Sequence, residues 1–80
     1  MQLKIRLFGI TKDIIGQAWT SVDIPEQAKV EDLLQNLKIT YPGLNKLHSV
    51  LVAVNDEYAK PDVTLNPNDE IALIPPVSGG

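Results

Sequence analysis

Few side chains in this sequence could act on a substrate, and their types narrow the chemistry at once. There is no cysteine, which removes a disulfide scaffold, a thiolate zinc site and a thiol nucleophile. The one histidine, His48, precedes Ser49 where a strand is expected to start. Adjacent strand residues point to opposite faces, so these two cannot serve as base and nucleophile together. His48 therefore reads as a surface or edge residue, and one histidine supplies too few ligands for zinc. The carboxylate pairs Asp56-Glu57 and Asp69-Glu70 lie in or after turns. Neither stretch has the alternating oxygen ligands and central glycine of a calcium loop, so both read as solvated turn charges. No G-x-G-x-x-G and no Walker-type phosphate loop occurs, so any ATP involved must be held by another protein.

One group remains, the end of the chain, Pro75-Pro76-Val77-Ser78-Gly79-Gly80. Two prolines fix φ and favour an extended exit from whatever precedes them. Residues 77–80 reach ~13 Å beyond Pro76 when fully extended. Gly79 and Gly80 lack Cβ atoms and fit a channel too narrow for side chains. The tip is an α-carboxylate, a poor electrophile until an adenylate gives it a leaving group. Sulfur attacking that acyl carbon would leave a thiocarboxylate. The plain alternative is a frayed end or a cloning remnant.

The elements that must position this tail follow from periodicity. In residues 2–8, Leu3, Ile5 and Leu7 alternate with Lys4, Arg6 and Phe8, a half-buried strand ended by Gly9. Residues 17–24, with Trp19, Thr20, Val22 and Ile24, predict a second strand stopped by Pro25. Residues 11–16 read as a hairpin connection, making the two strands antiparallel neighbours. Val30, Leu33, Leu34, Leu37 and Tyr41 form a helical stripe, with Glu31 and Asp32 in the first turn and Pro42-Gly43 as the stop. Lys29 is a poor N-cap. Residues 49–54 predict a buried strand, Asn55-Asp56-Glu57 a turn, and residues 58–60 a short returning strand. After the turn Asn66-Pro67-Asn68-Asp69, residues 70–74 form the last strand, Ile71 and Leu73 inward, Ala72 and Ile74 outward. The order β-β-α-β-(β)-β predicts an α+β fold of the ubiquitin-like, or β-grasp, kind: a mixed sheet on one main helix. The expected division is a domain over 1–76 and a reactive tail over 77–80.

Composition agrees. At 44% hydrophobic and 21% charged the chain can fold as one domain. A domain this small buries only roughly 60% of its unfolded surface, leaving no room for a deep private active site. That favours a binding module, a carrier or a small subunit. A net charge of −3, with Lys4 and Arg6 the only cations at strand spacing, argues against nucleic acid. The apolar runs fall far short of the ~20 residues of a membrane span, and no secretory leader opens the chain, so the cytoplasm is the expected compartment.

At this point the stretch Asp69-Glu70-Ile71-Ala72-Leu73-Ile74-Pro75-Pro76-Val77-Ser78-Gly79-Gly80 resembles the C-terminus of the molybdopterin synthase small subunits, a family of ubiquitin-like sulfur carriers. Lys4-Ile5-Arg6-Leu7-Phe8-Gly9, Val30-Glu31-Asp32-Leu33-Leu34 and Val52-Ala53-Val54-Asn55 fit along the rest of the chain. The resemblance implies that a ubiquitin-activating-type adenylyltransferase, consuming ATP, adenylates Gly80, and that a sulfur donor protein converts it to a thiocarboxylate. It implies docking on the synthase large subunit, in a heterotetramer whose catalytic side chains belong to that subunit. Sulfur then passes to a cyclic pyranopterin, and no cofactor resides on the carrier. Family members often carry an aromatic residue where Ile74 stands and a capping Thr or Ser where Lys29 stands.

Strand parity suggests the docking surface. Phe8 falls opposite Leu3, Ile5 and Leu7; Ile74 falls opposite Ile71 and Leu73; Tyr58 lies near a turn. If they converge they form an exposed apolar patch beside the exit formed by Pro75, Pro76, Val77 and Ser78, which would follow Gly79 and Gly80 into the partner. Competing readings are a sulfur carrier for thiazole, cysteine or tRNA thiolation, a protein modifier conjugated through Gly80, and an interaction domain with an inert tail.

Overall fold

The computed structural model describes residues 1–47 and 49–75; His48 and residues 76–80 lie outside them. The alternation of Leu3, Ile5 and Leu7 with polar neighbours becomes strand β1 (Gln2–Leu7), with every second residue buried. Helix α1 (Ile10–Ile15) and strand β2 (Trp19–Asp23) follow. Next come helix α2 (Val30–Thr40), a 3-10 turn over Pro42–Lys46, and strands β3 (Leu51–Val54), β4 (Glu57–Tyr58) and β5 (Ile71–Ile74). The strands form one mixed sheet in the order β2-β1-β5-β3-β4. β5 runs parallel to β1, pairing Ile71 with Ile5 and Leu73 with Leu7, and antiparallel to β3, pairing Leu73 with Val52. The last strand in sequence is therefore central in space. This is the α+β, β-grasp arrangement.

One face of the sheet is the core. Leu3, Ile5 and Leu7 of β1, Val22 of β2, Val52 of β3, and Ile71 and Leu73 of β5 are buried against Leu33 and Leu37 of α2, with Leu44 and Leu65 closing the ends. The predicted helical stripe is the face that packs. Residue parity on β5 is as expected: Ile71 and Leu73 inward, Ala72 and Ile74 half-buried on the other side.

The segment expected to be a simple hairpin connection is instead helical. α1 is bounded by two glycines at positive φ, Gly9 at 55° and Gly16 at 86°, and the Gly16 N–H returns to the Lys12 carbonyl at 2.8 Å. Six residues are too few to display a 3.6 period, but a glycine closing after Ile14-Ile15 was a readable C-terminal stop. β1 and β2 remain antiparallel neighbours, with Ile5 opposite Thr20 and Arg6 opposite Trp19.

The start of α2 is secured without a side-chain cap. The Val30 and Glu31 N–H groups donate to the carbonyls of Val63 (2.9 Å) and Pro61 (3.0 Å). The Asp32 N–H donates to the Lys29 carbonyl, and the Asp32 carboxylate accepts from the Lys29 N–H at 2.9 Å. First-turn donors that a Ser or Thr would have served are thus already answered.

Candidate functional site: the open face of the sheet and the exit of β5

β5 is fixed at its start by a turn-to-turn clamp. Asn55 and Asp56 both take positive φ (53° and 69°), the requirement of a two-residue hairpin between β3 and β4. The Asn55 side chain then reaches across to the turn before β5. Its Nδ2 donates to Asp69 Oδ1 (3.0 Å), and its Oδ1 accepts from the Glu70 N–H (3.0 Å). The other Asp69 oxygen accepts from the Asn66 N–H at 2.8 Å. The clamp sets the register of β5, and hence where Ile74 and Pro75 lie.

The face opposite α2 is uncovered. Its cross-strand pairs, read in order, run Trp19, Arg6, Ala72, Ala53, Tyr58. The two alanines at the centre leave a trough between the larger ends, a cavity of about 820 Å3 that Phe8 and Ile74 also line. Phe8, Trp19 and Tyr58 are 41%, 51% and 68% exposed. Leu51, the pairing partner of Ile74, extends the apolar surface and is also exposed. The Arg6 guanidinium carbon lies 5.3 Å from the Phe8 ring centroid and 5.4 Å from that of Trp19.

Phe8 is held from behind. Thr11 is fully buried; its hydroxyl donates to the Phe8 carbonyl and accepts from the Phe8 N–H at 3.1 Å. Pro75, the last described residue, continues from Ile74 and rests on Gly9. A Cβ at Gly9 would lie 3.0 Å from the Pro75 Cγ.

The structure thus brings Phe8, Tyr58 and Ile74 onto one surface and sets Pro75 beside Gly9. Pro76, Val77, Ser78, Gly79 and Gly80 lie outside the described residues. Sequence reasoning passed over Trp19, Arg6 and Leu51 as surface members. The parity of β1, which sets Arg6 on the same face as Phe8, was the available signal. Among the described residues no His, Cys, Asp or Glu cluster is placed to hold a metal ion, and no helix is long and apolar enough to cross a membrane. What this face offers is binding: a preformed trough with apolar ends, lined also by Lys4, Arg6, Asp56, Asp69 and Glu70.

Comparison with known proteins accords with this geometry. Residues 5–80 match the ThiS family. A Dictyostelium discoideum protein described as "Molybdopterin synthase sulfur carrier subunit" is 43% identical, over 99% of this chain and 96% of its own length. The crystal structure of small archaeal modifier protein 1 from Haloferax volcanii superposes with a TM-score of 0.83 at 27% identity, covering 95% of this chain and 98% of that one. A chain of the protein–protein complex of subunits 1 and 2 of the Helicobacter pylori molybdopterin-converting factor is similar over 100% of both chains, with a TM-score of 0.68 at 25% identity. With its β-grasp sheet and a family match that runs over residues 5–80, the chain belongs to the ThiS family.

Proposed function

We propose that this chain is the sulfur-carrier subunit of a molybdopterin synthase. A partner adenylyltransferase joins the Gly80 carboxylate to AMP, releasing pyrophosphate from ATP. A sulfur donor protein then supplies sulfur at the sulfide level, which expels AMP and leaves a thiocarboxylate. The carrier docks through Phe8, Tyr58 and Ile74 on the synthase large subunit, and residues 75–80 deliver the sulfur to a cyclic pyranopterin held there. Gly79 and Gly80 pass where side chains could not. The observation that supports the reading is the sequence that follows the central strand β5, which ends in Gly79-Gly80, together with the docking trough on that strand's exposed face. The names of the full-length relatives support the acceptor. The subunit complex of the Helicobacter pylori relative supports the large-subunit partner.

A second reading, a protein modifier joined through Gly80 to lysines, is favoured by the likeness to the archaeal modifier protein. One experiment separates the two. The untagged protein is isolated from its native cell and its C-terminal peptide fragmented in a mass spectrometer. Sulfur in place of one Gly80 carboxylate oxygen, and conversion of the pyranopterin precursor on addition of large subunit, is the expected result. A plain carboxylate that persists after incubation with ATP, activating enzyme and sulfur donor, together with isopeptide adducts in the lysate, would overturn it in favour of the modifier.

A further inference from the structure

The trough carries charges between its apolar ends: Arg6 and Lys4, with Asp56, Asp69 and Glu70 also in its lining. Arg6 stands in the middle of the cross-strand row, between Trp19 on β2 and Ala72 on β5. Two rings, Phe8 and Trp19, lie within cation–π distance of its guanidinium. Ring faces offset the charge, but they offer no lone pair to the in-plane N–H donors. Among the described residues the only ion pair within 4.0 Å joins the Met1 amine to Asp23, and no side-chain hydrogen bond involves Arg6. Of the trough's own acids, Asp69 already accepts from Asn55 and Asn66, and neither Asp56 nor Glu70 forms an ion pair with Arg6. Arg6 is exposed, so water reaches the guanidinium in the free protein.

Docking removes that water. A partner that covered Phe8, Ile74 and Tyr58 with purely apolar groups would also bury an unpaired guanidinium, whose desolvation costs more than the surrounding apolar contacts return. We infer that the partner seated on this face presents a carboxylate to Arg6, and that this pair selects which large subunit the carrier accepts. The inference rests on the docking reading given above. A carboxylate fits better than a backbone carbonyl because the guanidinium fork takes two parallel N–H bonds from one planar group. The two rings restrict the arginine before the partner arrives, so little rotamer freedom is lost on pairing. Lys4, on the same face, adds positive potential beside Arg6, while the net charge of −3 disfavours an extended phosphate backbone as the occupant.

The test measures affinity for the purified large subunit of the same organism by calorimetry, across a salt series, with full-length chains. Arg6→Met keeps the stem against Phe8 and Trp19 but strands the partner's carboxylate. It should weaken binding about 30-fold or more and flatten the salt dependence. Arg6→Lys should recover part of the loss, since it restores charge without the fork. Arg6→Gln serves if the methionine variant misfolds, because glutamine keeps a solvated polar end. Phe8→Asp is the control for the docking face itself. If Phe8→Asp weakens binding while Arg6→Met binds as tightly as the parent, or more tightly, the carboxylate is refuted and the docking face stands. If neither change matters, the docking reading fails with it. A labelled oligonucleotide bound by the parent and released by Arg6→Met, with large-subunit affinity unchanged, would also overturn the inference.

Discussion

The hydroxyl of Thr11 is out of sight of any partner, yet it holds both backbone polar groups of Phe8. Replacing it with an isostere lacking the hydroxyl leaves those groups without their partner. Thr11→Val should therefore lower stability by about 1–3 kcal/mol, read from urea unfolding, and Thr11→Ser should restore most of it. At this scale Phe8 and Ile74 were legible in the sequence, because strand parity alone sets them opposite the core residues. Arg6 was legible only as a charge. Its pairing with two rings depends on the register that sets Arg6 across from Trp19, and register is a property of two strands, not of one. Thr11 was hidden for the opposite reason: its contact is local, but it lies in a segment too short to declare itself helical.

Elements are joined here by backbone as much as by side chains. α1 packs on the 3-10 turn so closely that a Cβ at Gly43 would lie 2.9 Å from the Ile14 Cγ2. Gly43→Ala must push the two apart, with an expected loss of about 1–3 kcal/mol. Adding Ile14→Ala removes the clashing methyl, so the double variant should lose less than the sum of the single losses, which a double-mutant cycle would reveal. The helix start gives the reverse case. Lys29 looked like a defect worth ~1 kcal/mol, since a capping Ser or Thr was absent. The carbonyls of Pro61 and Val63 already serve those donors, and the Lys29 carbonyl takes the third. Lys29→Thr should therefore change the urea midpoint by less than about 0.5 kcal/mol equivalent. No single-strand pattern could foretell that cap, because it is assembled from a loop some thirty residues downstream.

At the scale of the molecule, folding and chemistry are separated along the chain. The described core ends at Leu73, and the proposed reactive atoms belong to Gly80. Removing Gly79 and Gly80 should leave the thermal midpoint unchanged and large-subunit affinity within a few-fold of the parent. It should abolish sulfur loading, measured by mass spectrometry. An interaction domain with an inert tail would carry no sulfur even in the parent and would keep its function after the deletion. The sheet order was not deducible from strand patterns, which leave open which neighbours a late strand takes; the sequence predicts a mixed sheet with β1 beside β2, and the structure sets β5 between β1 and β3.

β5 lies between β1, to which it is parallel, and β3. A pull on the tail, with β1 held at its beginning, draws the two central strands past one another lengthwise. Their hydrogen bonds then bear the load together rather than opening one at a time like a zip. A partner that grips the last residues and tugs thus loads the parallel β1–β5 pair in shear. Single-molecule stretching from residue 1 to the tail should require more force than stretching across β3 and β4, whose short hairpin peels from one end.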